Sequence, residues 1–480
     1  MGLRKETLSG LIWTFIQQFS VQLIGFSISI ILARVLMPAE FGLIAMLTVF
    51  ISIGNSLLDS GLASSLIRSP DLTQADYSTV FYFNLGGSIL MYVLVYLAAP
   101  LVSDFYHQDL LTLILRVYAL DFILNAFFSV QNARLTKEMN FKVQMMIQIP
   151  AVLIGGLAGV FLAVKGYGVW SLVWMRLLQS FLSTLMYWLT SGWIPDLVFN
   201  KSCFKKHFHF GYKMTLTGLL DILYRNVYVL IIGKYYSALQ LGFYARAESV
   251  SQLPVTNIAA IINKVTYPMF SKIAEDDVKL KEVYQKMMQQ VLFWNTPVLI
   301  FLAVIAAPLF NFMLTAKWLP AVPYFRILCF IGIMYPLHAC NLNILKVKGR
   351  SDLILKLEMV KKLICMLGIL MVIPYGIYGL LYFQLFFSFA GYYINSFYSG
   401  KFISYSITEQ MSDVAPIIGT SVFTGLLCYF LDLWYLKALN LPDIGRIMIN
   451  GLFFLMAYVA GSFSMGLTAI HDFKQLILKK

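Results

Sequence analysis

The sequence predicts an all-α integral membrane protein of about fourteen transmembrane helices. Three observations lead there. Hydrophobic residues make up 59% of the chain, and its mean hydropathy is +0.76. Apolar stretches able to cross a hydrocarbon core of about 30 Å, which takes roughly 20 helical residues, recur from end to end. The 36 Lys and Arg residues collect mainly in every second gap between those stretches.

In order, the stretches cover residues 8–33, 41–66, 78–102, 110–132, 143–164, 167–190, 212–234, 247–270, 288–310, 321–345, 357–373, 376–400, 414–434 and 447–469. The first is too long for a cleaved signal peptide and carries Gln17, Gln18 and Gln22. In the fifth, Gly155, Gly156 and Gly159 make a small-residue face suited to close packing. Pro254 and Pro336 mark expected bends in the eighth and tenth. The longest gap, Ser191–Gly211, holds about 20 residues, too few for a catalytic domain. That disfavours a membrane enzyme.

One alternate set of gaps holds 22 cations, among them Arg4, Arg68, Arg134, Lys201, Lys279 and Lys348. The other holds Arg34, Lys165, Lys234, Arg246, Lys317, Lys437 and Arg446. Lys and Arg in short loops stay on the cytoplasmic side, so the basic set and both termini are expected there. The net charge of +13 is thus a topology signal, and no nucleic-acid partner is expected.

The five cysteines form no CxxC pair and four fall within spans, so they read as small apolar residues. His207 and His209 fall in the predicted cytoplasmic loop Gly192–Lys213 without a Cys or carboxylate at ligand spacing. They read as residues of a wet loop, and no metal is expected. No Gly-rich loop followed by Lys-Ser/Thr is present, so ATP is not expected either.

A weak internal echo links the two sides of that loop. Leu32–Ala45 reads LARVLMPAEFGLIA and Ile232–Ala245 reads IGKYYSALQLGFYA, with Gly42 opposite Gly242 and Arg34 opposite Lys234. Both segments carry one span across a short external turn into the next, as in a parallel duplication. The two glycines are expected to set helix entry geometry.

LARVLMPAEFGLIAM (Leu32–Met46) followed by LLDSGLASSLIR (Leu57–Arg68) resembles the polysaccharide transporter family. These are the Wzx-type, and particularly WzxC-like, flippases of the multidrug/oligosaccharidyl-lipid/polysaccharide (MOP) superfamily. Further matching runs are DLTQADYSTVFYFN (Asp71–Asn84), NARLTKEMNFK (Asn132–Lys142), GKYYSALQLGFYARAESVSQLP (Gly233–Pro254), YPMFSKI (Tyr267–Ile273) and ILKVKGRSDL (Ile344–Leu353). The last two spans match by hydropathy only. The resemblance implies two six-helix lobes around a central cavity, at 1–200 and 201–405, with two further helices and a tail over 406–480. It also implies alternating-access export of undecaprenyl-pyrophosphate-linked oligosaccharide repeat units across the inner membrane, for capsule, exopolysaccharide or O-antigen assembly. Polymerases and other assembly proteins are the implied partners beside membrane lipids.

Seven cations fall inside predicted spans: Arg116, Arg176, Arg225, Lys264, Arg326, Lys361 and Lys362. Each costs about 2.5–3.5 kcal/mol at mid-helix on insertion scales, so pairing, snorkelling or water must answer each one. Lys361 and Lys362 are expected to snorkel to the cytoplasmic surface. Arg225 shares a helix face with Asp221, as a self-neutralising pair or as a cavity site. Arg176, Lys264 and Arg326 have no acid within one turn and are expected to line a water-filled lumen. Pairing across helices with Asp59, Asp121 or Glu248 is the alternative, and Arg116 stays open. For a pyrophosphate head group, Arg116, Arg176, Arg225, Lys264 and Arg326 are the candidate ligands. Gln17, Gln18, Gln22, Asn84, Asn125, Asn226, Tyr224 and Tyr228 are expected in helix packing before sugar contact.

No ATP is needed, because each negative charge leaving through an inside-negative potential gains about 2.3 kcal/mol per 100 mV. Asp59, Asp121 and Asp221 are candidates for coupling to Na+ or H+, and nothing in the sequence selects the ion. A cation-coupled multidrug exporter would want an acidic lumen. A peptidoglycan lipid-precursor flippase shares the cationic logic, and only the motif runs favour the polysaccharide family over it.

The topology is checked by impermeant maleimide labelling. Glu40→Cys should react from outside the cell and Lys205→Cys only from inside, and the reverse pattern would overturn the assignment.

Overall fold

The computed structural model describes residues 2–59 and 61–470; the side chains of 2–9, 11, 59, 209–217, 259–261 and 263–265 are outside the described residues. The chain is all-helical. In order the helices are α1 (Gly2–Val35), α2 (Pro38–Asp59), α3 (Leu62–Arg68), α4 (Gln74–Tyr106), α5 (Leu110–Tyr118), α6 (Leu120–Lys137), α7 (Phe141–Val164), α8 (Val169–Ser191) and α9 (Lys201–Arg225). They continue with α10 (Val227–Tyr235), α11 (Ala238–Ser271), α12 (Asp277–Val304), α13 (Ala306–Leu314), α14 (Val322–Val347), α15 (Ser351–Val372), α16 (Gly376–Phe402), α17 (Ile407–Leu431) and α18 (Asp443–Ser464).

Every predicted stretch falls on one helix or on two in succession. Among the described residues, ten segments have the length and hydropathy to cross a membrane, and one of them, Ser351–Ile403, contains both α15 and α16. The segments α8, α9–α10 and α11 fall outside that set. These are the helices that carry Arg176, Arg225 and Lys264.

The breaks come where the sequence did not announce them. Pro254 and Pro336 lie inside continuous helices, as do Pro100, Pro150 and Pro416. The chain breaks instead at Ala119, Asn226 and Ile305. At Asn226 the side-chain amide donates to the Ile222 carbonyl at 2.8 Å, sharing it with the residue's own backbone N–H at 3.1 Å. Between α2 and α3, Gly61 has φ 63°, a left-handed conformation that suits glycine.

The chain forms two compact units, Met1–Gly242 and Phe243–Lys480. In the first, α9 and α10 pack with α2 and α4, so the division falls about forty residues beyond the lobe boundary that the resemblance implied. In the second, α12 packs against α14 and α17, and α18 packs on α13 and α17. The C-terminal pair is part of that unit.

The internal echo is structural. Helix α1 ends at Val35 and α2 starts at Pro38; α10 ends at Tyr235 and α11 starts at Ala238. Within the first unit these two turns meet backbone to backbone. A Cβ on Gly42 would overlap the Ala238 carbonyl, and one on Gly242 would overlap the Pro38 carbonyl. The glycines therefore allow a helix crossing, where the sequence suggested only entry geometry. In α7, Gly155 and Gly159 likewise admit Gln179 and Met175 of α8, while Gly156 admits Ile28 of α1.

Gly42→Val and Gly242→Val should each remove most of the monodisperse protein seen by size-exclusion chromatography in detergent, because the opposing atoms are backbone. Gly86→Ala, where a Cβ meets nothing within 4 Å, should leave the yield intact.

Candidate functional site

The most developed polar cluster of the first unit forms where α5 gives way to α6. Ala119 turns the chain, which places Asp121 in the first turn of α6, where the amide dipoles favour a carboxylate. Asp121 is fully buried and has three donors. Ser180 Oγ of α8 donates to Oδ1, while Asn125 Nδ2 at 2.9 Å and Arg176 Nη2 at 3.2 Å donate to Oδ2. The partner is far more open: 42% of the Arg176 side chain stays exposed against 0% for Asp121.

The orientation of α8 shows where that exposure leads. Trp174, Phe181, Leu185 and Leu189 form its exposed apolar stripe. At about 100° per residue, Arg176 lies on the face opposite the stripe, with Ser180. Arg176 therefore sits on the face of α8 away from its exposed apolar stripe.

The other predicted cations are answered in different ways. Arg116 donates from Nε to the Tyr96 carbonyl at 3.3 Å and stacks over the Tyr96 ring, 4.2 Å from its centroid. Arg326 donates to the Ala303 carbonyl at 3.1 Å and lies 5.8 Å from the Tyr429 ring. Arg225 and Asp221 share an exposed face of α9. Lys264 and Asp59 have side chains outside the described residues.

Lys361 corrects the expectation of snorkelling. It is 8% exposed, forms an ion pair with Glu358 and donates to Asn395 Oδ1 at 3.0 Å. The amide of Asn395 in turn meets His338 Nδ1 at 3.2 Å. A buried carboxamide within reach makes inward pairing better than stretching toward water. Lys362, next to it, is half-buried.

His207 is a second correction, because the predicted loop turns helical at Lys201 and buries His207 while most residues around it stay exposed. Residues after α8 strap onto α4: Trp193 Nε1 donates to Gln74 Oε1 at 2.6 Å, and the amides of Asp196 and Asn200 donate to Ser78 Oγ and Thr79 Oγ1, each at 3.0 Å. Asn200 then caps α9. His207 is fully buried, with Nδ1 2.7 Å from Ser65 Oγ and Nε2 3.1 Å from Asp76 Oδ1. Asp76 Oδ2 accepts from the Thr73 amide at 2.8 Å in the capping box of α4. One carboxylate thus starts α4 and anchors α9. His209 has its side chain outside the described residues.

Among the predicted polar contacts, Gln17 bonds Gln148 across α1 and α7 at 2.9 Å and Asn84 bonds Ser129 at 3.2 Å, both of them packing contacts. Of the alternatives the sequence left for Arg176, cross-helix pairing with Asp121 is the one the structure shows; Ser180, 59 residues from Asp121, was the member that sequence reasoning missed.

With the geometry in place, the relatives are informative. A family described as "Polysaccharide biosynthesis protein" matches residues 31–323, more than half of the chain. The chain belongs to this family. Relatives include the teichuronic acid biosynthesis protein TuaB of Bacillus subtilis, 27% identical over 73% of this chain and 73% of that protein. Another is the lipopolysaccharide biosynthesis protein WzxC of Escherichia coli, 26% identical over 75% and 74%. The resemblance to Wzx-like members of the MOP superfamily therefore holds. Among solved structures, a lipid II flippase MurJ in an inward closed conformation superposes with a TM-score of 0.69 at 14% identity, covering 94% of this chain and 98% of that one. An inward-facing multidrug MATE transporter gives 0.59 at 16% identity, over 82% and 99%. Both show that this polysaccharide-family chain has the MOP transporter fold.

His207→Ala would leave Asp76 Oδ1 and Ser65 Oγ without their buried partner, at a cost of about 1–3 kcal/mol. Thermal unfolding in detergent should show the loss, and an unchanged melting curve would refute the anchoring role of His207.

Proposed function

We propose that this chain flips undecaprenyl-pyrophosphate-linked oligosaccharide repeat units from the cytoplasmic to the periplasmic leaflet of the inner membrane by alternating access. Family membership supports the cargo class: one relative is the succinoglycan biosynthesis transport protein ExoT of Rhizobium meliloti. The observation that carries the reading is the distribution of charge. Arg176 of α8 keeps 42% of its side chain exposed on the face opposite that helix's apolar stripe, and Arg225 is exposed on α9. Charged side chains within a membrane bundle face its interior or water, and fixed cations there replace hydration lost by an anionic head group.

In this reading the head group enters from the cytoplasmic side while the polyprenyl tail stays in lipid, and two lobes over 1–200 and 201–405 reopen outward around it. Arg176 is the leading ligand, and Arg225, Lys264, Arg326 and Arg116 are the further candidates. A pyrophosphate linker carrying two charges outward gains about 4.6 kcal/mol per 100 mV. Coupling to Na+ or H+ through Asp59, Asp121 or Asp221 adds to that drive. Both termini stay in the cytoplasm, and a polymerase receives the product. The protein needs no catalytic group of its own.

In a strain lacking the chain, the lipid-linked repeat unit should accumulate on the inner leaflet, and wild type should clear it. Arg176→Gln and Lys264→Gln, matched for expression, should each reduce clearance at least severalfold. Full clearance by both would sink the cationic path.

A further inference from the structure

We propose that Asp121 is a built-in competitor for the cargo's anionic head group, holding Arg176 in the empty site and recapturing it to expel the head group. The proposal rests on the reading of Arg176 as a head-group ligand. Its geometric basis is the inverted burial of the pair. The acid is enclosed, fixed by Ser180 and Asn125 at the start of α6, and cannot follow the cation. The cation is held at one nitrogen and stays 42% exposed on the face of α8 away from its exposed apolar stripe.

One guanidinium then has two anions to serve. A diphosphate approaching Arg176 takes donors that Asp121 shares and leaves a buried carboxylate beside a second negative charge. That repulsion weakens the loaded state without touching the cargo's sugars. A transporter needs this, because a site that binds a dianion with unopposed cations would not let it go. Asp121 therefore trades affinity for turnover. It is a positioning residue for Arg176 and does not itself contact cargo.

The test uses the full-length protein in nanodiscs, with inorganic pyrophosphate as probe, alongside export by the same variants in cells. Arg176→Gln should weaken pyrophosphate binding. Asp121→Asn should tighten it about tenfold while export falls, an opposite movement that a loss of structure does not produce. Asp121→Glu should restore wild-type affinity and part of the export. Asp121→Asn combined with Arg176→Gln should bind like Arg176→Gln alone. Should Asp121→Asn fail to fold, Ser180→Ala gives the test with the opposite sign: with one donor fewer the carboxylate draws harder on Arg176, and binding should weaken. If Arg176→Gln weakens binding but Asp121→Asn does not tighten it, the competitor role is overturned and the head-group reading stands. If Arg176→Gln has no effect, the head-group reading of Arg176 itself fails.

Discussion

A charge inside a membrane bundle has to be met by a partner its own side chain can reach, since hydrocarbon offers none. Much of the polar architecture follows from that constraint. Asp121 gathers three donors from two helices; Lys361 turns inward to Glu358 and Asn395; Arg116 and Arg326 take backbone carbonyls and aromatic faces. Arg446 at the start of α18 is clamped by both oxygens of Asp432 beyond the end of α17. Apart from Glu358–Lys361 and Asn125–Asp121, which lie within one helix, these contacts tie separate segments together, so charges that are costly singly help fix the register of the bundle.

The same constraint explains where helices break. A gap in the backbone ladder frees amides and carbonyls that need partners, and in a membrane protein this is tolerated where polar side chains are at hand. Ala119 precedes Asp121, whose carboxylate suits the new helix start, and Asn226 supplies its own side chain to the Ile222 carbonyl. The prolines within α11 and α14 leave those helices continuous.

Hydropathy alone made the helical, membrane-spanning class legible, because apolar length is a property of consecutive residues. The motif runs likewise identified the family, and the alignment of Gly42 with Gly242 anticipated a repeated turn. The pairings were not legible. Arg176 has no acid within one turn of its own helix, and the choice of Asp121 over Asp59 or Glu248 as its cross-helix partner is made only once α6 and α8 pack. His207 was misread because a stretch with four lysines looks solvated, while the fold straps Trp193–Asn200 onto α4 and turns one face of α9 inward. Local sequence reports solvation on average, and packing decides it residue by residue.

Two ion pairs show how packing converts similar chemistry into different roles. In the first unit the acid of the pair is sealed and the cation is open, with Asp121 at 0% and Arg176 at 42% exposure. In the second the order is reversed, with Lys361 at 10% and Glu358 at 33%. Both pairs neutralise charge, but the half that stays accessible determines what each presents: the first a guanidinium, the second a carboxylate. A cationic path through a protein of this family therefore depends less on how many cations its helices contain than on which member of each pair the packing leaves uncovered.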